Sequence, residues 1–354
     1  MYLLHTGLLQ KNTICPEMLY VSHHCTNPYW NLAAEEYLLK EFHQPIFRLW
    51  RNGDSIIVGR YQNTLAEVDI NYVKENGIKV VRRLTGGGAV FHDLGNLNFT
   101  FIEERIPGED AGAMFRRFTR PIIEALNGIG IKAYLEGRND LLIDGLKFSG
   151  NAVCIHNNRI LQHGTLLFSA SMGNLAAALK SRPEKFIGKA VQSNRSRVTN
   201  ISQHLPDSFP ADIPHVTDIA SFWNYLEQYI CSRHPEIEPY TFTPADIEAI
   251  DALCREKYSQ ESWNFGSSPA YSFSKTAKLS GGIVELFMTV SKGTITELKI
   301  MGDYFFTLPT EEFCQKLIGT PHTIDAISNV LKEIPTTSYF NNISAQELAG
   351  MFFE

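Results

Sequence analysis

Three β-rich runs, Asp140–Ile143, Leu146–Ile155 and Arg159–Phe168, follow one another with only Asp144-Gly145 and His156-Asn157-Asn158 between them. Linkers this short cannot carry a parallel crossover, which takes about a dozen residues, so these strands must pair antiparallel. Asp, Asn and Gly also accept the left-handed backbone that tight turns require. With helical patterns before and after this meander, the chain predicts an α+β fold: a mainly antiparallel sheet with helices on a face.

Asn27-Pro28 reads as an N-cap followed by proline in the first turn, and Tyr29, Leu32, Ala33 and Tyr37 continue at helical spacing. Ile46–Trp50 and Ser55–Val58 read as strands, and the Asn-Gly in Arg51-Asn52-Gly53-Asp54 predicts that they pair as a hairpin. A helix is expected over Glu67–Asn76 with Gly77 as C-cap, then strands over Ile78–Val81 and Asn98–Ile102. Another helix spans Ala111–Leu126, closed by Gly128, with Pro121 bending it or marking its start. Beyond the proline-rich Pro206–Pro214, an apolar stripe of Ile219, Phe222, Trp223, Leu226 and Ile230 marks a further helix. A boundary is expected near Tyr240–Pro244, followed by a small α+β domain. That domain holds a strand pair, Gly282–Val290 and Thr294–Ile300 around Ser291-Lys292-Gly293, a helix from Thr310 and another near the end.

At 354 residues the chain is long enough for two domains with cores of their own. Its 44% hydrophobic and 20% charged content excludes wholesale disorder. A formal net charge of −6 leaves no global basic field and argues against a nucleic-acid partner. No apolar run approaches the ~20 residues of a membrane helix. The N-terminal segment lacks a basic n-region or an Arg-rich amphipathic pattern, so a cytoplasmic protein without membrane association is expected. Six cysteines, at 15, 25, 154, 231, 254 and 314, show no paired spacing, which points to reduced thiols. Cys15, His23, His24 and Cys25 form a cluster to weigh for zinc, but they lack the short C-x₂-C loop of such sites.

The strongest chemical signal is Arg82-Arg83-Leu84-Thr85-Gly86-Gly87-Gly88-Ala89-Val90-Phe91-His92-Asp93. Glycines remove Cβ, so backbone N–H groups can touch a phosphate directly while Arg82 or Arg83 grips the same oxyanion in a fork. A solvated turn has no need of paired guanidinium groups on one side and of His92-Asp93 with Gly95-Asn96 on the other. Gly88 is followed by Ala89-Val90 rather than by Lys-Ser/Thr, and no helix-opening G-x-G-x-x-G occurs. A nucleotide bound here is therefore expected on a sheet.

Further motifs stand in order along the chain. Downstream of the glycine loop come Arg138-Asn139-Asp140, Gly145-Leu146-Lys147-Phe148-Ser149-Gly150-Asn151-Ala152 and Gln162-His163-Gly164-Thr165-Leu166-Leu167. Upstream of it stand Asn31-Leu32-Ala33-x-Glu35, Trp50-Arg51-Asn52 and Val58-Gly59-Arg60-x-Gln62-Asn63. Arg195-Ser196-Arg197-Val198-Thr199-Asn200 and Trp263-Asn264-Phe265-Gly266 before Pro269 complete the series. Together they resemble the lipoate–protein ligase family, from Tyr20 to the C-terminus. The resemblance implies a biotinyl/lipoyl-ligase-like catalytic domain at 20–242 and a small α+β accessory domain at 243–354. Residues 1–19 are then an extension without family counterpart, with Met18 as an alternative start.

The implied chemistry has two steps: lipoate and ATP give lipoyl-adenylate and pyrophosphate, and a protein lysine then takes the lipoyl group. The resemblance makes Lys147 the catalytic residue, in contact with the acyl carbonyl and the α-phosphate. It assigns ATP to Arg83, Gly86, Gly87, Gly88, Ala89, Val90, Phe91 and Lys147. Lipoate falls to Trp50, Arg51, Val58, Gly59, Arg83, His92, Lys147, His163 and Gly164, and Mg²⁺ to Asp140. The implied acceptors are apo lipoyl domains of 2-oxoacid dehydrogenase complexes, or the glycine-cleavage H protein. Gln162 where the family often has histidine, Leu146 in place of a basic residue and Asn194 in place of an aliphatic one are departures. Two alternatives remain open at this level: a lipoyltransferase restricted to preformed lipoyl-adenylate, and a cysteine-dependent octanoyl or lipoyl transferase. For the latter the nearest nucleophile is Cys154, whose neighbours Val153 and Ile155 offer no base and favour a buried structural thiol. A non-catalytic binder would have no use for Lys147 together with a phosphate loop.

Overall fold

The computed structural model describes residues 18–62, 64–68, 70–173, 198–210, 213–264, 273–291, 294–321 and 324–352. Residues 1–17, and with them Cys15, lie outside the described residues, as do Asn63, Asn194 to Arg197, Lys292-Gly293, Phe265, Gly266 and Pro269. The first strands are β1 (Leu19–Ser22), β2 (Ile46–Trp50), β3 (Ser55–Val58), β4 (Lys79–Arg82) and β5 (Val90–His92). Next come β6 (Asn96–Glu104), β7 (Ala133–Glu136), β8 (Asp140–Ile143), β9 (Leu146–His156) and β10 (Arg159–Leu167). The last are β11 (Glu238–Tyr240), β12 (Phe273–Leu279), β13 (Gly282–Ser291) and β14 (Thr294–Gly302).

The main sheet has eight strands in the order β11-β1-β2-β6-β10-β9-β8-β7. Within it only β1 runs parallel to its neighbours, β2 and β11; the remaining pairs are antiparallel. The two short turns of the meander take the expected left-handed backbone, with φ of 49° at Asp144, 77° at Gly145 and 52° at Asn157. Strand alternation divides the side chains between two faces. Phe47, Leu49, Phe99 and Phe101 pack under the helices Ala111–Gly128 and Ile219–Arg233. Ile46, Trp50 and Ile102 pack on the other face, against helix α1 (Pro28–Glu41), which Asn27 caps by accepting from the Tyr29 N–H. Pro121 lies inside the helix Ala111–Gly128 and does not mark its start, which Asp110 caps.

The hairpin expected from Asn52-Gly53 does not form. β2 pairs with β1 and β6, whereas β3 joins a separate three-stranded sheet in the order β4-β3-β5. Neither Asn52 nor Gly53 takes a positive φ. Instead the buried Asn52 side chain bonds Asn31 and His92, and the Gly53 N–H donates to Thr26 O, so tertiary partners carry the chain from one sheet to the next. The helix expected over Glu67–Asn76 is two short pieces, Thr64–Glu67 and Ile70–Glu75, before Gly77 at φ 61°.

A second core forms between β12, β13 and β14 and the helices Thr310–Leu317 and Ile324–Glu333. The boundary expected at 242/243 falls within continuous packing. The helix Pro244–Leu253 docks on α1, with the Trp30 indole donating to Asp251 at 2.9 Å and the Tyr37 hydroxyl to Asp246 at 2.7 Å. Phe242, Ile250 and Tyr258 join the core beneath α1, and the second core begins at Phe273.

Candidate active site

A cavity of about 160 Å³ opens on the α1 face of the main sheet. Cross-strand pairing sets Trp50, Asn98 and Thr165 side by side on β2, β6 and β10, and Gly150 on β9 donates its N–H to the Thr165 hydroxyl. Thr165 and Gly150 keep the floor of this groove low. Trp50 and Lys147 stand toward its two ends, about three strand spacings of ~4.8 Å apart.

Lys147 reaches the groove because of a register slip. Leu141 pairs with Ser149 but Leu142 pairs with Lys147, leaving Phe148 as an unopposed extra residue on β9. Strict alternation from Gly150 would send Lys147 to the far face; the bulge reverses it, and Phe148 drops into the core under the helices. The Lys147 ammonium then lies 2.7 Å from Asp140 Oδ1 and packs over Gly150. Val198 forms a bridge to Lys147, and the Thr199 N–H donates to Lys147 O at 2.9 Å. Val198 and Thr199 thus brace β9 beside Lys147.

The glycine loop wraps around Arg83. Its guanidinium donates to Thr85 Oγ1 at 2.8 Å, Ile57 O at 3.1 Å, Gly86 O at 2.7 Å and Gly88 O at 2.9 Å. In a trans peptide the N–H points opposite the C=O, so turning these carbonyls inward turns the Gly87 and Ala89 amides outward. Arg83 is therefore a clamp that aims backbone donors, and burial lowers it only to about 10, so it stays charged. Arg82 faces elsewhere, holding Gly59 O, Arg60 O and Gln62 O together with Asn264 O and Trp263 O. Gly59 must lack a side chain because a Cβ there would collide with Gly87 O.

Beneath the groove runs a buried polar chain. The Trp50 indole donates to Thr100 Oγ1 at 2.8 Å, and Thr100 donates to Glu35 at 2.5 Å. His163 Nδ1 lies 3.0 Å from Glu35 Oε2, and its Nε2 lies 2.8 Å from Thr85 Oγ1. Since Nδ1 faces a carboxylate, it carries the hydrogen, and Nε2 accepts from Thr85. Burial pushes the Glu35 carboxyl up, but His163 and the Thr100 hydroxyl outweigh it and leave it below the ordinary range. Gly164, next to this chain, has no room for a Cβ against Asn151 and Phe99.

Of the expected residues, the cavity brings together Trp50, Arg83, Gly87, Gly88, Ala89 and Val90, and with them His92, Lys147, His163 and Gly164. Arg51 turns away to Leu94 O and the Trp223 ring, and Val58 and Phe91 fill the core of the small sheet. Gly59 and Gly86 lie behind the loop, Gly86 against Tyr304 O, and Asp140 acts through its bond to Lys147. Cys154 is buried below α1 with its thiol pushed up by burial, and it does not line the cavity. Several lining residues fall outside the expected set, Asn98 and Phe305 among them. Asn98 had a signal, since Asn96, Asn98 and Thr100 alternate with Leu97, Phe99 and Phe101 and so give a central strand one polar face. Phe305 follows β14 but packs into the first core against Phe115, and it had none. Among the described residues no group of three or more His, Cys, Asp or Glu side chains could hold a metal, and His23 stacks on Trp30. Among them, too, no helix is long and apolar enough to cross a membrane.

A family model described as the lipoyl protein ligase A/B catalytic domain matches residues 27–221, and one described as the bacterial lipoate protein ligase C-terminus matches residues 268–352. Lipoate-protein ligase LplJ of Bacillus subtilis is 37% identical over 341 residues, covering 95% of this chain and 100% of the relative. The solved structure of P. falciparum LipL1 in complex with lipoate is similar with a TM-score of 0.71 and 25% identity, over 90% of this chain and 94% of that one. A bi-partite lipoate protein ligase from Thermoplasma acidophilum, described with its E2 lipoyl domain, gives 0.60 and 31% over 73% and 99%. Lipoate-protein ligase A bound with ATP gives 0.58 and 29% over 71% and 98%. With one model spanning more than half of the sequence and a second covering most of its C-terminal third, the chain belongs to the lipoate–protein ligase family of enzymes.

Proposed function

We propose that this chain activates lipoate with ATP and transfers the lipoyl group to a lysine of an apo lipoyl domain. The observation that carries the reading is Lys147, held where a groove ending at Trp50 meets a loop of outward-facing amides. In the first step a carboxylate oxygen attacks the α-phosphorus and pyrophosphate leaves. Two anions must approach each other, so fixed donors at their junction lower the barrier. Lys147 supplies the cation there, and Ala89 and its neighbours supply backbone N–H groups. In the second step an acceptor amine attacks the acyl carbonyl, AMP leaves and the amine proton is released. Lys147 is suited to hold the carbonyl and phosphate oxygens in both steps.

Magnesium binds through few protein carboxylates and mostly through phosphate oxygens, a habit that the single carboxylate of Asp140 beside Lys147 fits. When bound with ATP it would neutralise phosphate charge, with Asp140 as its protein ligand. The acceptor reading draws support from the Thermoplasma acidophilum ligase described with its E2 lipoyl domain; the glycine-cleavage H protein is proposed as a second acceptor.

Purified chain incubated with lipoate, ATP, Mg²⁺ and an apo lipoyl domain tests the reading. The expected outcome is pyrophosphate release and a lipoyl mass increment on the acceptor. Transfer from synthetic lipoyl-adenylate without any pyrophosphate from lipoate and ATP would instead mark a transferase. The buried, high-pKa Cys154 counts against a thioester route, and Cys154→Ser is expected to keep activity.

A further inference from the structure

His92 Nε2 is buried and has no hydrogen-bond partner among the described residues, although the ring lines the cavity, 6.2 Å from the Trp50 ring. Its neighbours fix where its hydrogen sits. Buried Arg48 donates to Asn31 Oδ1 at 2.6 Å, which leaves Asn31 Nδ2 to donate to Asn52 Oδ1 at 3.0 Å. Asn52 therefore presents its Nδ2 to His92 Nδ1, at 3.1 Å, and an amide nitrogen can only donate. Nδ1 must accept, so Nε2 carries the hydrogen. Burial, with His163 and Arg83 adding to it, lowers the imidazole pKa to about 3 and keeps the ring neutral. Beside it on β6, Asn98 Nδ2 is also buried without a partner, its Oδ1 being taken by Asn96.

Two unpaired N–H donors in one wall of a cavity are costly unless a ligand atom accepts from them. They stand toward the Trp50 end of the groove: Asn98 on β6 is two strand spacings of ~4.8 Å from Gly150 on β9, and Trp50, whose ring faces His92, is three. A carboxylate activated at Lys147 cannot reach them, so the atoms that meet them belong to the far end of the acyl chain. Resting on the lipoate reading above, we propose that His92 Nε2–H, with Asn98 Nδ2, recognises the dithiolane sulfurs and selects lipoate against octanoate. Sulfur is a weak acceptor, but the methyl end of octanoate accepts nothing and leaves both donors desolvated. His92 is thus a specificity-determining residue, and the Arg48–Asn31–Asn52 relay is the device that holds its tautomer.

The test compares kcat/KM for ATP-dependent pyrophosphate release with lipoate and with octanoate. His92→Phe keeps a ring and removes the donor; it is expected to narrow the lipoate preference about tenfold, through the KM for lipoate, with octanoate unchanged or improved. Asn52→Asp substitutes an acceptor of the same shape, draws the hydrogen to Nδ1 and is expected to narrow the preference likewise. Imidazole ¹⁵N NMR at pH 8 reads the tautomer directly, with Nε2–H expected in the wild type and Nδ1–H in Asn52→Asp. Parallel loss on both acids, a wild-type Nδ1–H tautomer, or an unchanged preference after the tautomer has switched would each overturn the inference. A wild type that activates neither acid would overturn the ligase reading itself, and this inference with it.

Discussion

Lys147 and Asp140 are each 38% exposed, so their ion pair contributes little to folding and the lysine can change partners when anionic substrates arrive. Lys147→Gln is therefore expected to slow pyrophosphate release by about 10²- to 10³-fold, the range for loss of one preorganised donor, while the melting temperature stays put. An equal loss of thermal stability would point to a structural lysine instead. Glu35 is the opposite case. Burial alone would raise its pKa, yet His163 and Thr100 hold it below its unfolded value of 4.5. A carboxylate with a depressed pKa contributes stability that is present above the unfolded value and is lost as pH falls through the lower folded one. Glu35→Gln is expected to lower stability at pH 7 by about 1–3 kcal/mol and to flatten the acid limb of a melting-temperature profile below that window. Parallel profiles for the two proteins would show that the carboxylate charge is not what the buried chain needs.

The glycine loop separates two demands on glycine. At Gly59 the difficulty is protein against protein, since a Cβ would strike Gly87 O; at Gly88 a Cβ meets nothing within 4 Å, and the open space is where a phosphate would lie. Gly59→Ala should thus lower the melting temperature and disturb the loop, whereas Gly88→Ala should melt normally and raise the KM for ATP. Thermal melts with ATP-dependent kinetics on both variants decide this, and matching behaviour would refute the distinction. The loop and the meander were legible in the chain because each rests on local chemistry: glycine next to arginine, Asp-Gly and Asn-Asn turns, and apolar alternation; Lys147 stood out only through the family resemblance. What was not legible depends on distant partners. Asn52-Gly53 has hairpin composition but spends its side chain on Asn31 and His92, and the side chains of Val58, expected at lipoate, and Phe91, expected at ATP, fill a core. The bulge at Phe148 that turns Lys147 to the groove exists only in the pairing of β8 with β9. Likewise Arg83 reads as an anion fork, and only the folded loop shows its guanidinium gripping carbonyls.

At the scale of the whole molecule, the second core meets the catalytic sheet at the loop that should receive the nucleotide. The Gly87 N–H donates to Tyr304 O at 3.4 Å, and the Phe305 ring, 4.0 Å from the Arg138 guanidinium, walls the cavity. Nearby, the Gly302 N–H donates to Tyr61 O, and the Tyr61 hydroxyl accepts from the Thr310 N–H at 3.1 Å while donating to Glu311 at 3.0 Å. A phosphate oxygen that takes the Gly87 N–H must displace the Tyr304 carbonyl. Apart from Tyr61 the β12–β14 core is built from its own strands and helices, so the economical motion is of the accessory unit as a body, which breaks the packing on Tyr61, the contact of Phe305 with the first core and the bond to the loop but keeps the rest of its interior. Hydrogen–deuterium exchange separates the two kinds of bond. With lipoate and a non-hydrolysable ATP analogue, the Gly302 and Thr310 amides are expected to exchange faster, while the Asn341 amide, which bonds Phe305 O within the same unit, keeps its protection. If Gly302 and Thr310 stay protected, the segment around Phe305 is a fixed wall of the site, and the nucleotide must reach the loop without the Gly87 amide.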